Sequence, residues 1–208
     1  MDLQTKKDIF IKMNRAIVTC KKCRLCRGRI NAVPGEGNIN AKVVFIGEAP
    51  GFEEDKQGRP FVGRSGLLLG EMINKIGLKR TDVWIGNVIK CRPPENRNPL
   101  LDEIRACKPY LEKQMELIKP KIIVTLGRFA LEFLVPKAKI SEAHGKPIRV
   151  KSYIVFPIYH PAAALRNVAI KKIMIEDFMK IKNLINIDIK SITNEAEKKE
   201  DTAQLSLF

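Results

Sequence analysis

The sequence predicts an α/β protein with three layers, α/β/α, around a central, mostly parallel four-stranded sheet. Short apolar runs rich in β-branched residues alternate along the chain with longer segments of helical periodicity. This alternation is typical of parallel strands joined by helices. The 208 residues, of which 45% are hydrophobic, suffice for one domain with a substantial core.

Four segments are predicted as strands because each is a short and nearly continuous apolar run, as expected for strands buried on both faces. They are residues 42–47, 83–89, 122–127 and 153–159. Parallel sheets of this kind bind ligands at the carboxyl ends of their strands. The residues at those ends, Gly47, Asn87 and His160, are therefore the first candidates for a functional site.

Helices are predicted where apolar residues recur with helical spacing. These segments are residues 6–17, 65–76, 101–118, 128–134 and 171–185. We expect one folded domain over residues 1–187. The polar stretch that follows cannot bury enough apolar surface to fold alone, so we expect a flexible tail over residues 188–208.

The charge of the chain predicts a polyanionic partner. Thirty-eight Lys and Arg residues against 23 Asp and Glu residues leave a formal charge of +15, and such an excess favours nucleic acid. An even spread of solvated lysines would give the same total, so charge alone does not decide. No apolar run is long enough for a membrane span, and the first residues lack the apolar core of a secretory signal. We expect a cytoplasmic protein.

Five cysteines suggest a metal site, because disulfides are not expected in a protein that stays in the cytosol. Cys20 and Cys23 form a C-x-x-C pair, and Cys91 and Cys107 could complete a set of four thiolates. Four thiolates suit a tetrahedral zinc ion and a cubane iron-sulfur cluster equally well. Cys26 is the spare, although Cys23 and Cys26 would also serve as a pair.

Two glycine-rich segments follow the first strand. Residues 47–55 leave the strand through a turn that contains Gly47, Pro50 and Gly51, and residues 58–66 lead into a helix. Glycines allow main-chain amides to approach a ligand closely. Ser65 is expected to cap the helix, whose positive end would receive a phosphate.

These motifs carry a family resemblance. Residues 47–51 (GEAPG), 58–63 (GRPFVG), 87–97 (NVIKCRPPENR) and 160–165 (HPAAAL) occur in the order and approximate spacing of the thermophile-type, iron-sulfur-containing uracil-DNA glycosylases, family 4 of that superfamily. The chain resembles this family over about residues 18–186. The resemblance implies the uracil-DNA glycosylase fold, a monomer, and hydrolysis of the N-glycosidic bond of deoxyuridine in DNA. That reaction leaves an abasic site and begins base excision repair.

The resemblance also implies roles for individual residues. Phe61 would stack on an extruded uracil, Asn87 would read its N3 and O4 edge, and His160 would donate to O2. Glu48 and Ala49 would complete the surroundings of the base.

The resemblance leaves two candidates for the residue that holds the water, because Ala49 stands where the best-known uracil glycosylases have an aspartate. Glu48 is the first candidate, and Glu54 paired with Asn96 is the second.

The resemblance assigns a [4Fe-4S] cluster to Cys20, Cys23, Cys91 and Cys107. It also makes Leu165 a wedge that fills the vacated base stack. The basic residues expected on the DNA backbone are Arg59, Lys90, Arg92, Arg97 and Arg166.

Two other functions fit the same motifs. The first is a glycosylase for another deaminated base, hypoxanthine or xanthine. The second is a noncatalytic iron-sulfur DNA-binding module. The C-terminal residues resemble a sliding-clamp peptide, with Gln204, Leu207 and Phe208 as anchors for an apolar pocket.

Overall fold

The structure is a computed structural model that describes residues 2–187. The predicted tail, residues 188–208, and the clamp peptide at its end lie outside the described residues. The strands are β1 (Glu36–Gly37), β2 (Val43–Gly47), β3 (Trp84–Asn87), β4 (Ile122–Leu126), β5 (Ile148–Val150) and β6 (Tyr153–Ile158). The α-helices are α1 (Leu3–Val18), α2 (Phe52–Gln57), α3 (Arg64–Lys75), α4 (Leu101–Ile118), α5 (Arg128–Leu134), α6 (Ile140–Ala143), α7 (Pro161–Ala164) and α8 (Val168–Leu184).

One sheet contains all six described strands in the order β1-β3-β2-β4-β6-β5. The four predicted strands form its parallel centre, as expected. The predicted number of four strands is wrong, because β1 and β5 add antiparallel edges. These edge strands have two and three residues and are not fully buried. They therefore lack the apolar run by which a buried parallel strand is identified.

Helices cover both faces of the sheet, which confirms the three predicted layers. Alternate residues of a strand point to opposite faces. Phe45 of β2 packs on the side of α3 and α8, where its ring stacks on Phe178 at a centroid distance of 5.8 Å. Val44 packs on the opposite side, with Ile17 of α1 and Leu111 of α4.

The helix boundaries agree with the predicted periodicity to within a few residues. Two predicted helices, residues 101–118 and 128–134, have the observed bounds of α4 and α5. One detail is wrong: the N-cap of α3 is Gly63, and Ser65 is the second residue of the helix. None of the described helices is long and apolar enough to cross a membrane.

Candidate active site

Gly47, the last residue of β2, forms the floor of the candidate site. In the parallel register of β2 and β3, Gly47 lies opposite Asn87. A Cβ atom at Gly47 would lie 2.5 Å from Asn87 Oδ1 and 2.6 Å from Cζ of Phe61. These distances are far below van der Waals contact, so the position has no room for a side chain. The site thus brings Asn87 and Phe61 together.

Phe61 is held in an unusual backbone conformation. Its φ of +51° lies in the left-handed region, which is uncommon for an aromatic residue. The chain passes so close to Gly66 that a Cβ atom there would lie 1.9 Å from the carbonyl oxygen of Phe61. Arg80 fixes the same loop, since its guanidinium donates to the carbonyls of Pro60 and Phe61. The surroundings therefore determine where the buried ring of Phe61 points.

Glu54 supports this loop from the other side. Its Oε1 accepts hydrogen bonds from the amides of Val62 and Gly63, both at 2.9 Å, and its Oε2 accepts from the amide of Gly51 at 3.1 Å. The expected pairing of Glu54 with Asn96 does not form among the described residues. The side-chain oxygen of Asn96 accepts instead from Nε of Arg92 at 2.8 Å.

Asn87 is buried and has an unused acceptor. Its side chain is 1% exposed, and Oδ1 has no hydrogen-bond partner among residues 2–187. A buried polar atom without a partner is costly, on the order of 1–3 kcal/mol. Such atoms are therefore uncommon in proteins, and those at a pocket wall are suited to receive a ligand.

His160 follows β6 and faces Phe61, with ring centroids 5.8 Å apart. It is the N-cap of α7, and its Nδ1 accepts a hydrogen bond from the amide of Ala162 at 3.1 Å. Burial lowers the pKa of His160 to about 4, although the negative charge of Glu54 acts in the opposite direction. The imidazole is therefore neutral at pH 7. Because Nδ1 is an acceptor, the proton resides on Nε2.

Glu48 is the titratable carboxyl group next to the floor. Burial raises its pKa to about 6, against the positive charge of Arg128. No hydrogen bond engages its carboxylate among the described residues, whereas three main-chain amides engage that of Glu54. Ala49, the next residue, is half-buried and packs against the core on the side of α1 and α4.

The predicted DNA-contacting residues separate into two groups. Lys90 was assigned wrongly: it is 1% exposed, and its Nζ donates to the carbonyl of Asn87 at 2.9 Å and to Gln114 Oε1 at 2.8 Å. A buried ammonium group cannot contact a phosphate backbone. Arg59 is exposed but paired with Glu36, and Arg97 forms a bidentate pair with the buried carboxylate of Glu103.

The remaining predicted DNA-contacting residues are accessible. Leu165 is 38% exposed at the end of α7, and Arg166 beside it is exposed. Arg92 is half-buried, and Ser65 is half-buried in the first turn of α3. None of the described carboxylates forms an ion pair with Arg92 or Arg166.

All five cysteines line one cavity, which we call the cysteine cavity. It lies between the loop of residues 20–29 and the segments that carry Cys91 and Cys107. Arg29 Nη1 donates to Cys91 Sγ at 3.0 Å, and the amide of Lys22 donates to Cys20 Sγ at 3.5 Å. Among residues 2–187, no three metal-ligating side chains converge closely enough to hold a single metal ion.

Three supporting residues escaped the sequence analysis. Arg80, Glu36 and Gln114 act on residues that are 20 to 80 positions away in the chain. A single polar residue carries no local signal for such a role. The one local signal is Gly66, close to the GRPFVG motif, because a glycine there is consistent with a close approach to the main chain of Phe61.

Known proteins are similar to this chain in sequence. The family model of the uracil DNA glycosylase superfamily matches residues 34–180. The type-4 uracil-DNA glycosylase of Sulfurisphaera tokodaii is 51% identical over 187 residues, which is 85% of each chain. That of Saccharolobus solfataricus is 52% identical over 80% of this chain and 82% of its own. The type-4 enzyme of Thermotoga maritima is 43% identical over 88% of this chain and 98% of its own. The chain therefore belongs to the uracil-DNA glycosylase superfamily and, within it, to the type-4 uracil-DNA glycosylases.

Proposed function

We propose that this protein is a monofunctional uracil-DNA glycosylase that hydrolyses the N-glycosidic bond of deoxyuridine in DNA. The observation that carries the proposal is the acceptor of Asn87, which has no partner among residues 2–187 and lies at Gly47 together with the ring of Phe61, the ring that faces His160. We call the site formed by Gly47, Phe61, Asn87 and His160 the uracil pocket.

Asn87 distinguishes uracil from cytosine. Its free Oδ1 accepts the N3–H of uracil, and its amide NH₂ donates to O4. Cytosine has a lone pair at N3 and an amino group at C4, so the same contacts would oppose acceptor to acceptor and donor to donor. Phe61 stacks on the base once the nucleotide has left the duplex.

His160 assists departure of the base. Cleavage of the bond places negative charge on uracil and positive charge on the deoxyribose. The Nε2–H of neutral His160 donates to O2, where part of that negative charge accumulates. A neutral donor that is already oriented needs no proton transfer to act.

Glu48 is our choice for the residue that holds the attacking water. Its carboxylate is free of hydrogen bonds among the described residues, whereas Glu54 is occupied with the loop that positions Phe61. When ionised, Glu48 also places a negative charge next to the site of the developing positive charge on the sugar.

Leu165 and Arg166 are assigned to the DNA. An exposed leucine on a tight turn can enter the vacated base stack, and the adjacent guanidinium can contact a phosphate. Arg59 and Arg97 contribute less in this proposal, because a carboxylate already offsets each charge.

The cysteine cavity fits a [4Fe-4S] cluster held by Cys20, Cys23, Cys91 and Cys107. The thiols line one cavity, and the similarity to iron-sulfur-containing glycosylases favours a cluster over one zinc ion. Hydrogen bonds to the sulfurs of Cys20 and Cys91 fit that chemistry. Hydrolysis needs no electron transfer, so the cluster would hold the loop of residues 20–29 on the domain. Iron and sulfide analysis tests this: a colourless protein with one zinc per chain would contradict it.

The activity is tested by incubating the full-length, iron-loaded protein with single-stranded and duplex DNA that carries one uracil. Parallel strands carry hypoxanthine or xanthine. We expect alkali-labile abasic sites chiefly at uracil. Greater cleavage at hypoxanthine would identify a glycosylase for another base. Binding without abasic sites would identify a noncatalytic module.

We also propose that the C-terminal peptide binds a sliding clamp. The support is the sequence alone, with Gln204, Leu207 and Phe208 at anchor spacing. Removal of residues 204–208 should abolish clamp binding and leave uracil excision from short DNA unchanged. Clamp binding by the shortened chain would refute the assignment.

A further inference from the structure

Phe52 is the only aromatic residue among residues 2–187 that is exposed. Half of its side chain, 51%, is open to solvent at the start of α2. Single exposed apolar residues are common on protein surfaces, so exposure by itself indicates nothing. Two further observations make Phe52 different.

The first is Arg92, whose guanidinium carbon lies 5.1 Å from the centre of the Phe52 ring. A hydrogen bond from Nε to Asn96 Oδ1, 2.8 Å long, holds this arginine. Asn96 itself is held in a tight turn, since Glu95 and Asn96 both have positive φ. Ring and guanidinium thus form a supported pair.

The second is the charge of the pair. Arg59, Arg80 and Arg97 all have carboxylate partners. No described carboxylate forms an ion pair with Arg92. The positive charge beside the exposed ring is therefore available to an anionic partner.

The position of the pair connects it with the uracil pocket. Phe52 lies five residues beyond the end of β2, and Arg92 lies five residues beyond the end of β3. These adjacent strands carry Gly47 and Asn87 at their carboxyl ends. The loop of Leu165 and Arg166, which we call the wedge loop, follows β6. In the sheet order, β4 separates β6 from β2 and β3. The pair and the wedge loop therefore lie on segments that leave the parallel strands at their carboxyl ends, the same edge of the sheet that carries Gly47, Asn87 and His160.

We propose that Phe52 and Arg92 form a stacking platform for the nucleobase next to the extruded uracil on the same strand. This inference rests on the proposed glycosylase function. Aromatic rings and guanidinium planes bind the flat face of any base, so the contact would tolerate all sequences. The platform would hold a base that is unpaired in single-stranded DNA, or that becomes unpaired when the duplex is distorted around the lesion.

The test combines a protein variant with a change in the DNA. Single strands carry one uracil, and the base on its 5′ or its 3′ side is replaced by an abasic analogue. For the wild type we expect kcat/KM to fall by about 5- to 100-fold when one of the two neighbouring bases is missing, the range expected for loss of one stacked base. For Phe52→Ala we expect that loss already on the intact strand, and no further loss on the abasic strand.

Three controls make the result specific. Phe52→Trp retains a ring and should restore the dependence on the neighbouring base. Ile11→Ala removes a side chain of the same exposure, 50%, from the outer face of α1 and should behave as wild type. Equilibrium binding to strands with an uncleavable 2′-fluorinated deoxyuridine should show the same coupling without any contribution from chemistry.

Two results would overturn the platform: a wild type indifferent to both neighbouring bases, or a Phe52→Ala variant that remains as sensitive to them as the wild type. Either result can occur while uracil excision proceeds normally. Failure of the proposed function would look different, because the wild type would then leave no abasic sites on any uracil strand. If the protein had no activity, the binding measurement would still test the platform. Binding of the wild type that does not depend on either neighbouring base would refute it.

Discussion

The uracil pocket and the cysteine cavity share one short segment, residues 87–91, but they differ in how they treat buried polar groups. At the pocket, Asn87 Oδ1 has no partner among the described residues. Beside the cavity, Lys90 is equally buried, yet its ammonium group binds the carbonyl of Asn87 and the side chain of Gln114. Gln114 in turn donates to the carbonyl of Pro34.

At the pocket, a ligand would supply the missing hydrogen-bond partner. Beside the cavity, the protein supplies the hydrogen-bond partners itself. An unpartnered acceptor weakens the free protein and strengthens the complex. A lysine that donates two hydrogen bonds fixes the main chain from which Asn87 projects. The comparison predicts that substitutions on this segment affect either activity or stability, depending on the side to which the residue points.

The largest effect is expected for Asn87→Ala. Loss of the contacts to N3 and O4 should lower kcat/KM on uracil strands by about 100- to 1,000-fold, as for removal of one oriented polar group from other active sites. The thermal unfolding midpoint should change little. Asn87 Oδ1 has no hydrogen-bond partner among the described residues, so its removal relieves the cost of burying it. Activity within threefold of wild type would show that uracil excision does not depend on the side chain of Asn87.

Lys90→Ala should have the opposite effect. The variant leaves a cavity and removes the partner of Gln114 Oε1, so we expect the free energy of unfolding to fall by about 2–4 kcal/mol. Denaturant titration of the iron-loaded protein measures this loss. The salt dependence of DNA binding should not change, since the buried ammonium contacts no phosphate. A reduced salt slope would instead restore Lys90 as a DNA contact.

The pH dependence of kcat tests the role of Glu48 in the pocket. Burial raises the pKa of Glu48 to about 6, so its carboxylate is ionised above that pH and protonated below it. We expect kcat to fall by about tenfold per pH unit below 6. His160 has its pKa lowered to about 4 and stays neutral throughout this range. Glu48→Gln should have a lower plateau and no acid limb near 6, and an unchanged limb in that variant would exclude Glu48.

The smallest effect concerns the surface around the pocket. Arg166→Ala should reduce the slope of log K against log salt by about 1, the loss of one phosphate contact. Arg59→Ala serves as the matched variant, since Glu36 already offsets its charge and the slope should change by less. Equal slopes for the two variants would show that ion pairing does not decide which arginines contact DNA.

Much of the fold and the site is predictable because its signals are local. The four central strands appear as apolar runs, and Gly47, Asn87 and His160 stand at their ends. Burial on both faces leaves those runs no alternative to a parallel sheet covered by helices. The edge strands β1 and β5 escaped prediction, because they are short and only partly buried and so carry no comparable pattern.

The errors concern residues whose side chains could point either way. Lys90 looked like a phosphate ligand because lysines are usually solvated, and Ser65 looked like a cap because serine often is one. The helix begins one residue earlier, at Arg64, because the turn from Phe61 to Gly63 is held by Glu54 and by the close approach of Gly66. Contacts of this kind depend on neighbours that the local sequence does not reveal.

Local sequence patterns were sufficient to predict the layers of the fold, the family and the set of side chains from which the site is built. The contacts of those side chains required the tertiary structure: Glu54 holds a loop, the carboxylate of Glu48 accepts no hydrogen bond among the described residues, and His160 carries its proton on Nε2. The tertiary structure also placed Arg92, which forms no ion pair among the described residues, over the exposed ring of Phe52. The physical reason is that residue type sets which interactions are possible, while burial and hydrogen-bond partners from distant segments select among them.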